Sequence, residues 1–297
     1  MGAAIECREL SKSYGKVAAL DRLTLAVEPG EAVGYLGPNG AGKTTTIRLL
    51  LGLIRATGGS ASLFGVDAQA DPVAAHRRLA FVPGEAALWP SLTGADTLTL
   101  LGRVHGSVDE TYKQELVERF QLDPGKRVRA YSKGNRQKVL LIAALMTRAD
   151  LLLLDEPTSG LDPLMEQTFR ACVREALGRG QTVFLSSHSL SEVEAVCERV
   201  VILRQGRVVE QGLLADMRHL SALSIHAELD HPVPDLSGIA GLAGVQIDGS
   251  TLRCQATGSL APLLSRLAPA GIRRLISTEP SLEELFLAHY GELDDAA

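Results

Sequence analysis

Two short runs of residues have types and spacings that could do chemistry. The first, Gly37-Pro38-Asn39-Gly40-Ala41-Gly42-Lys43-Thr44-Thr45, reads G-x-x-x-x-G-K-T. Glycines let the backbone curl until several N–H groups face one anion, and the start of a following helix adds its partial positive charge. Lys43 can then bridge terminal phosphates, and the Thr44 hydroxyl can ligate Mg²⁺. The second run, Asp155-Glu156, follows Leu151-Leu152-Leu153-Leu154 without a break. Four leucines make a strand that must be buried, so its tip delivers two carboxylates to the C-terminal edge of a sheet, where α/β proteins bind ligands. There Asp155 aims at the Mg²⁺ shell. Glu156, facing another way, suits a general base that polarises water for attack on a γ-phosphate.

The elements that must position these groups are read from apolar periodicity. Residues 5–10, 17–27, 32–36, 61–65 and 79–82 are predicted strands. The run TTTIRLLLGLI is predicted as a helix that stops at Thr57-Gly58-Gly59. Between about 85 and 150 the character turns helical, with Leu116, Val117, Phe120 and Leu122 near helical spacing and RQKVLLIAALMTR as a further helix. Residues 151–154 and 182–186 are short buried strands on either side of a helix over 163–178. Strand, helix and strand with crossover-length connections predict a mostly parallel α/β core. From about residue 216 a second unit reads strand 222–229, helix 234–240, strands 243–248 and 251–256, helix 258–268, strand 272–277 and helix 281–289. Asp248-Gly249-Ser250 supplies a hairpin turn. This βαββαβ order predicts a small ferredoxin-like sandwich.

Composition narrows the classes. With 297 residues, 45% of them apolar, the chain can bury a core and make about two domains. No stretch approaches the ~18 apolar residues of a spanning helix, and MGAAIECREL has no apolar signal region. A soluble, cytosolic product is expected, unless a partner holds it at a membrane. A net charge of −5 with 4% aromatic residues argues against nucleic acid as a partner. Cys7, Cys172, Cys197 and Cys254 form no CxxC pair, so they are expected to be buried, idle thiols in a reducing compartment.

Three further segments resolve the family. They are Tyr131-Ser132-Lys133-Gly134-Asn135-Arg136-Gln137-Lys138, Ser159-Gly160-Leu161-Asp162, and His188 at the end of Leu185-Ser186-Ser187-His188. In this order, with the two runs above, they resemble the nucleotide-binding domain of ABC transporters over about residues 4–215. The resemblance implies a P-loop ATPase fold, with a mostly parallel sheet, an antiparallel β part and a helical subdomain at about 85–150. It implies ATP and Mg²⁺ as cofactors, the latter on Thr44 and Asp155. Tyr14 would stack on adenine, Glu156 and His188 would be catalytic, and Asp162 would belong to the D-loop. Ser132, Lys133, Gly134 and Asn135 would form the signature loop that completes the site of another subunit.

Two departures stand out. Against the usual Leu-Ser-Gly-Gly-Gln, Lys133 replaces the first glycine and Asn135 the glutamine, and Lys133 is expected to add a charge beside the γ-phosphate. Gly84 stands where the family has a glutamine that touches Mg²⁺ and water, and neighbouring Glu85 is expected to take over part of that role.

Residues 216–297, as a small α+β accessory domain, end in Glu279-Pro280-Ser281-Leu282-Glu283-Glu284-Leu285-Phe286-Leu287, which resembles the terminal helix of the DrrA-like drug-resistance subunits. Tyr131–Asn135 and Val82-Pro83-Gly84-Glu85 are similar to the same group. The resemblance implies a head-to-tail homodimer, or a heterodimer with a related subunit, that hydrolyses ATP. It would drive export by a separate ABC-2-type integral membrane permease, docked around Trp89 and Leu92, from the inner face of the cell membrane. Two alternatives remain: a soluble ABC ATPase with a non-transport partner such as a ribosome or DNA, and a small-molecule kinase. The kinase leaves Ser132, Gly134 and Asp162 unexplained.

Overall fold

The computed structural model describes residues 2–106, 108–219 and 223–278. The chain divides into two compact units, Met1–Gly212 and Leu213–Ala297. In chain order the first contains β1 (Ile5–Tyr14), β2 (Val17–Val27), β3 (Ala32–Leu36), α1 (Lys43–Leu50), β4 (Gly58–Leu63), β5 (Val66–Asp67), α2 (Pro72–His76) and β6 (Leu79–Val82). It continues with α3 (Gly94–His105), α4 (Glu110–Arg119), α5 (Lys133–Leu145), β7 (Leu151–Asp155), α6 (Pro163–Gly178), β8 (Thr182–Ser187), α7 (Leu190–Glu194), β9 (Arg199–Arg204) and β10 (Arg207–Leu213).

One sheet runs β10-β9-β3-β8-β7-β6, and the β9/β3, β3/β8, β8/β7 and β7/β6 pairs are parallel. Every residue of β3, β7 and β8 is buried, as uninterrupted apolar runs such as Leu151–Leu154 require. The other sheet, β2-β1-β4-β5, is antiparallel. Both sheets contribute to one core, in which Ile5, Leu10 and Leu25 join Val33, Ile47 and Leu153. The expected combination of parallel core, antiparallel part and helical region is therefore present.

The helical region is α3, α4 and α5. A capping box between Thr93 and Asp96 starts α3. Leu116, Phe120 and Leu122 turn inward, as the helical spacing predicts, while Val117 is only half-buried; Leu98 of α3 is buried as well. Arg119 grips Glu175 of α6 with two bonds of 2.9 and 2.8 Å, a planar fork-on-carboxylate contact.

The first helix is shorter than its apolar pattern predicts. It ends at Leu50, because Gly52 takes φ 61 and closes the helix: Gly52 N bonds Leu49 O at 3.0 Å and Leu53 N bonds Arg48 O at 2.9 Å. A Cβ on Gly52 would lie 2.5 Å from Ala68 O, so the stop is also packed in place. No helix among the described residues is long and apolar enough to cross a membrane. The four cysteines are free and buried, and burial pushes Cys172 up to about 11 and Cys7 and Cys197 up to about 12.

The second unit holds α8 (Leu214–His219), β11 (Leu223–Leu229), β12 (Leu242–Asp248), β13 (Thr251–Ala256), α9 (Ala261–Leu267) and β14 (Ile272–Thr278). Its antiparallel sheet runs β12-β13-β11-β14, so the first and third strands are central. Leu252, Cys254, Ile225 and Ala227 face the buried Leu263 and Leu267 of α9. The hairpin falls where expected, with Asp248 paired to Thr251 and Gly249 at φ 57.

The helix expected over 234–240 is absent. Asp235 instead accepts from Ser237 N at 2.9 Å and from the Ser237 hydroxyl at 2.5 Å, and Gly238 takes φ 84. A side chain that bonds its own backbone two residues on diverts the chain into a turn. The second expected helix is trimmed to α9, with a single 3₁₀ turn over Ala268–Ala270 at Pro269. The helix expected over 281–289, and the run Glu279–Leu287, lie outside the described residues.

Helix α7 is short and owes its seat to a missing side chain. A Cβ on Gly34, in the middle of β3, would lie 2.1 Å from Val193 Cγ1, and Val193 is fully buried. Overpacking a close-packed interior costs about 1–3 kcal/mol. Gly34→Ala is therefore expected to lower stability by about that amount in urea unfolding. Adding Val193→Ala should give a double variant less destabilised than the sum of the singles, and simple additivity would contradict the contact.

Candidate functional site

The glycine-rich loop leaves the buried strand β3 and enters α1 at Gly42, which takes φ 111. A Cβ there would meet Ala19 O at 2.7 Å and Leu20 Cδ2 at 2.8 Å, so both conformation and space demand glycine. Gly37 is pressed against Leu203 O, 2.5 Å from where its Cβ would lie. The opposite side of the loop is open: Pro38, Asn39 and Gly40 are exposed, and Ala41 is buried. Lys43 is buried, and its ammonium donates to Gly37 O at 2.6 Å and Pro38 O at 3.3 Å. Burial pulls its pKa down, while Glu156 and Asp155 oppose that shift. Behind it, the buried Thr46 hydroxyl donates to Gly42 O at 3.1 Å and lies 2.9 Å from Tyr35 Oη, which fixes the first turn of α1. Thr44 is exposed and Thr45 half-buried on that turn.

The acidic pair arrives at the same edge. Asp155 is buried and accepts from the Ser186 hydroxyl and, at 3.4 Å, from Thr44 Oγ1. Burial pushes its carboxyl above the usual range, and the negative charge of Glu156 adds to that. Glu156 sits at φ 46, a left-handed conformation costly for a residue with a Cβ. Its N–H bonds Ser186 O at 3.0 Å, and its Oε1 lies 3.2 Å from His188 Nδ1. The structure thus joins Lys43, Thr44, Asp155, Glu156 and His188 in one constellation.

Gly84 belongs to the same neighbourhood. A Cβ on it would lie 3.3 Å from Asp155 O and 3.7 Å from Glu156 Cβ. Gly84, which stands where the family has a glutamine, lies against the acidic pair, and the neighbouring Glu85 is exposed.

The signature segment forms a second constellation. Ser132 caps α5, its hydroxyl accepting from Asn135 N at 3.3 Å. A Cβ on Gly134 would lie 2.4 Å from Gly160 O, so the first turn of α5 and the loop at Gly160 are in close backbone approach. Lys133 Nζ donates to Ser159 Oγ at 2.8 Å. The ammonium expected beside a phosphate is engaged by the D-loop of its own chain. Asp162 caps α6, accepting from Leu164 N at 3.1 Å and Met165 N at 3.0 Å, with Pro163 in the first turn. Tyr14 ends β1 as a 48% exposed residue, with Lys12 Nζ 5.0 Å from its ring centroid.

Two residues at the site went unread in the sequence. Ser186 is a fully buried hydroxyl on an apolar strand, and that polar interruption of TVFLSS was its signal. Glu192 on α7 accepts from both the Thr158 and Ser187 hydroxyls. Burial pushes its carboxyl up, and the Ser187 bond opposes this.

Comparison with known proteins agrees with this geometry. The ABC transporter family profile matches residues 20–159. The chain is 33% identical over 304 residues to the Nod factor export ATP-binding protein I of Paraburkholderia xenovorans, covering 99% of each chain. The chain belongs to the ABC transporter ATP-binding proteins. A further relative of this ABC subunit, the daunorubicin/doxorubicin resistance ATP-binding protein DrrA of Streptomyces peucetius, is 36% identical over 220 residues, which is 72% of this chain and 67% of the relative. A solved ATP-binding subunit of an ABC transporter superposes with a TM-score of 0.68 at 32% identity, covering 73% of this chain and 92% of that one. The fold is that of an ABC ATPase cassette, and the chain is an ATP-hydrolysing subunit of a transporter.

The residues present fit a bound nucleotide. A buried ammonium held by loop carbonyls beside exposed loop backbone is an arrangement an anion completes, and a hydroxyl next to a buried carboxylate is a donor set for a hard cation. The raised carboxyl of Asp155 has a measurable cost. An acid whose folded pKa lies above its unfolded value withdraws stability as pH rises through the folded pKa, and withdraws none below the unfolded pKa. Asp155→Asn is therefore expected to raise the melting temperature of the nucleotide-free protein at neutral pH, with the gain vanishing in acid. A thermal scan against pH checks this, and a lower midpoint at neutral pH would contradict it.

Proposed function

We propose that the chain binds MgATP at Gly37–Thr45 and hydrolyses it with Glu156 as general base, in a head-to-tail dimer that drives export through a separate membrane permease. The observation that carries this reading is the meeting of Lys43, Thr44, Asp155, Glu156 and His188 at one sheet edge, with Glu156 Oε1 3.2 Å from His188 Nδ1. Gly37, Pro38, Asn39, Gly40, Ala41, Gly42 and Thr45 cradle the phosphates with backbone N–H groups. Lys43 leaves its carbonyl partners for the terminal phosphates. Thr44 and Asp155 would hold Mg²⁺, which supplies neutralisation of the charge that builds on the phosphate oxygens. Glu156 orients the attacking water and takes its proton, and His188 fixes Glu156 and contacts the γ-phosphate. Tyr14 offers its exposed ring to adenine. Glu85, exposed beside the site, stands in part for the absent glutamine at Gly84.

Ser132 and Gly134 bond within their own signature helix or touch Gly160, and no hydrogen bond joins them to Gly37–Thr45 among the described residues. In this reading Ser132, Gly134 and Asn135 serve the nucleotide held by a second copy, or by a related subunit, in an isologous pair, while Lys133 braces the segment against Ser159. ATP touches both sides of that pair and shifts the population toward closure, and loss of the γ-phosphate reverses it. Relatives named for Nod factor export and for daunorubicin/doxorubicin resistance support outward transport. The likeness of Tyr131–Asn135 to the drug-resistance group supports an ABC-2-type permease. Trp89, 49% exposed in the loop ahead of α3, is the docking candidate, and in this reading the subunit sits on the cytoplasmic face of the membrane.

Removing a general base typically slows its step by about 10²–10⁴-fold. Glu156→Gln is expected to retain ATP affinity, to hydrolyse ATP at least about 10²-fold more slowly, and to elute as a dimer from a sizing column in ATP. A variant that stays monomeric at saturating ATP would sink the dimeric site.

A further inference from the structure

The left-handed backbone at Glu156 must be held by the residues just after it, and the bond to His188 by the residues just before that histidine. Both supports converge on one side chain. Glu192 Oε1 accepts from Thr158 Oγ1, two residues after Glu156, and Glu192 Oε2 accepts at 2.5 Å from Ser187 Oγ, the residue before His188. Thr158 and Ser187 are buried, and Ser187 Oγ in turn accepts from Ser189 N at 2.9 Å. Glu192 rides on α7, whose next residue, Val193, is locked over Gly34 of β3. One carboxylate therefore ties the chain leaving β7 to the chain leaving β8, directly behind the Glu156–His188 contact. The strand ends are already bonded by Glu156 N to Ser186 O, but that bond leaves the segments beyond them free to splay.

We propose that Glu192 is a positioning residue for ATP hydrolysis, holding Glu156 and His188 in register through Thr158 and Ser187. The inference rests on the reading of Glu156 and His188 as the hydrolytic pair. It assigns Glu192 no contact with nucleotide, so the carboxylate acts on turnover and not on binding.

The test uses the full chain with Glu192→Ala, Glu192→Gln, Thr158→Val and Ser187→Ala, measuring ATP turnover and nucleotide affinity, with Glu156→Gln alongside. Misplacing a reacting group by about an ångström costs up to about 10²-fold, so Glu192→Ala should lose about 10- to 100-fold in kcat. Its KM for ATP should stay within about 3-fold of the unaltered protein. Thr158→Val should fall part-way, and Glu192→Ala with Thr158→Val should be no slower than Glu192→Ala alone. Glu192→Gln keeps the shape and can keep both contacts with one hydroxyl reversed, so it should recover most of the rate. Unchanged kcat in Glu192→Ala, a loss confined to KM, or additive losses in the double variant would overturn the proposal. Should Glu192→Ala fail to fold, the nearly isosteric Thr158→Val and Ser187→Ala decide by the same kcat criterion. An active Glu156→Gln overturns the hydrolytic reading and this inference together. An inactive Glu156→Gln with an unaffected Glu192→Ala overturns this inference alone.

Discussion

The parallel register of β3, β8 and β7 is the constraint on which the site depends. Leu36 pairs with Ser187, and Asp155 pairs with Ser186, so three buried strands end level at one edge. The phosphate loop, the acidic pair and His188 each leave from that edge, so the register brings their starting points together. Side chains alternate along a strand, so a slip of one residue in β7 would turn Asp155 away from Thr44 and Ser186. Four leucines buried on both faces make such a slip costly, because it would bring Asp150 or Asp155 into the sheet interior. The apolar run is therefore what aims the carboxylate.

Much of this was legible because it is local. The phosphate loop is nine consecutive residues whose chemistry is set by spacing alone. The bounds of the helix over Pro163–Gly178 are readable because Asp162-Pro163 begins it and Gly178 lies at its end. The sheet was readable from runs too short and too apolar to be anything but buried strands. What stayed hidden depends on contacts between distant residues, or on one residue overruling a pattern. Gly52 stops α1 within an otherwise helical stretch, and Asp235 bonds to its own neighbour and removes a helix whose periodicity looked adequate. Lys133 finds Ser159, and Glu192 finds Thr158 across 34 residues of sequence, with nothing nearby to announce either pairing.

Glycine does two kinds of work in this chain, and only one of them was expected. In the phosphate loop it grants conformation, as Gly42 shows. At Gly34 and Gly134 it grants proximity: the backbone there is ordinary, and the missing Cβ admits Val193 in one case and the carbonyl of Gly160 in the other. Glycine inside a strand or a helix weakens the element by itself. Here that weakness is offset by bringing a helix and a loop into van der Waals contact with the catalytic edge.

The Arg119–Glu175 fork gives the helical region a mechanical role. Helix α6 spans 16 residues, about 24 Å of stiff rod. Its far end is clamped by Arg119, and its near end begins at Asp162, beside the loop on which Lys133 and Gly134 rest. Helix α5 reaches the same loop through Lys133 and Gly134 of its first turn. A push delivered to α4 thus has two routes to residues 159–162, one along each helix, and they close a triangle. Such a truss transmits displacement without bending, and the short loop at its apex is where the stroke must be absorbed.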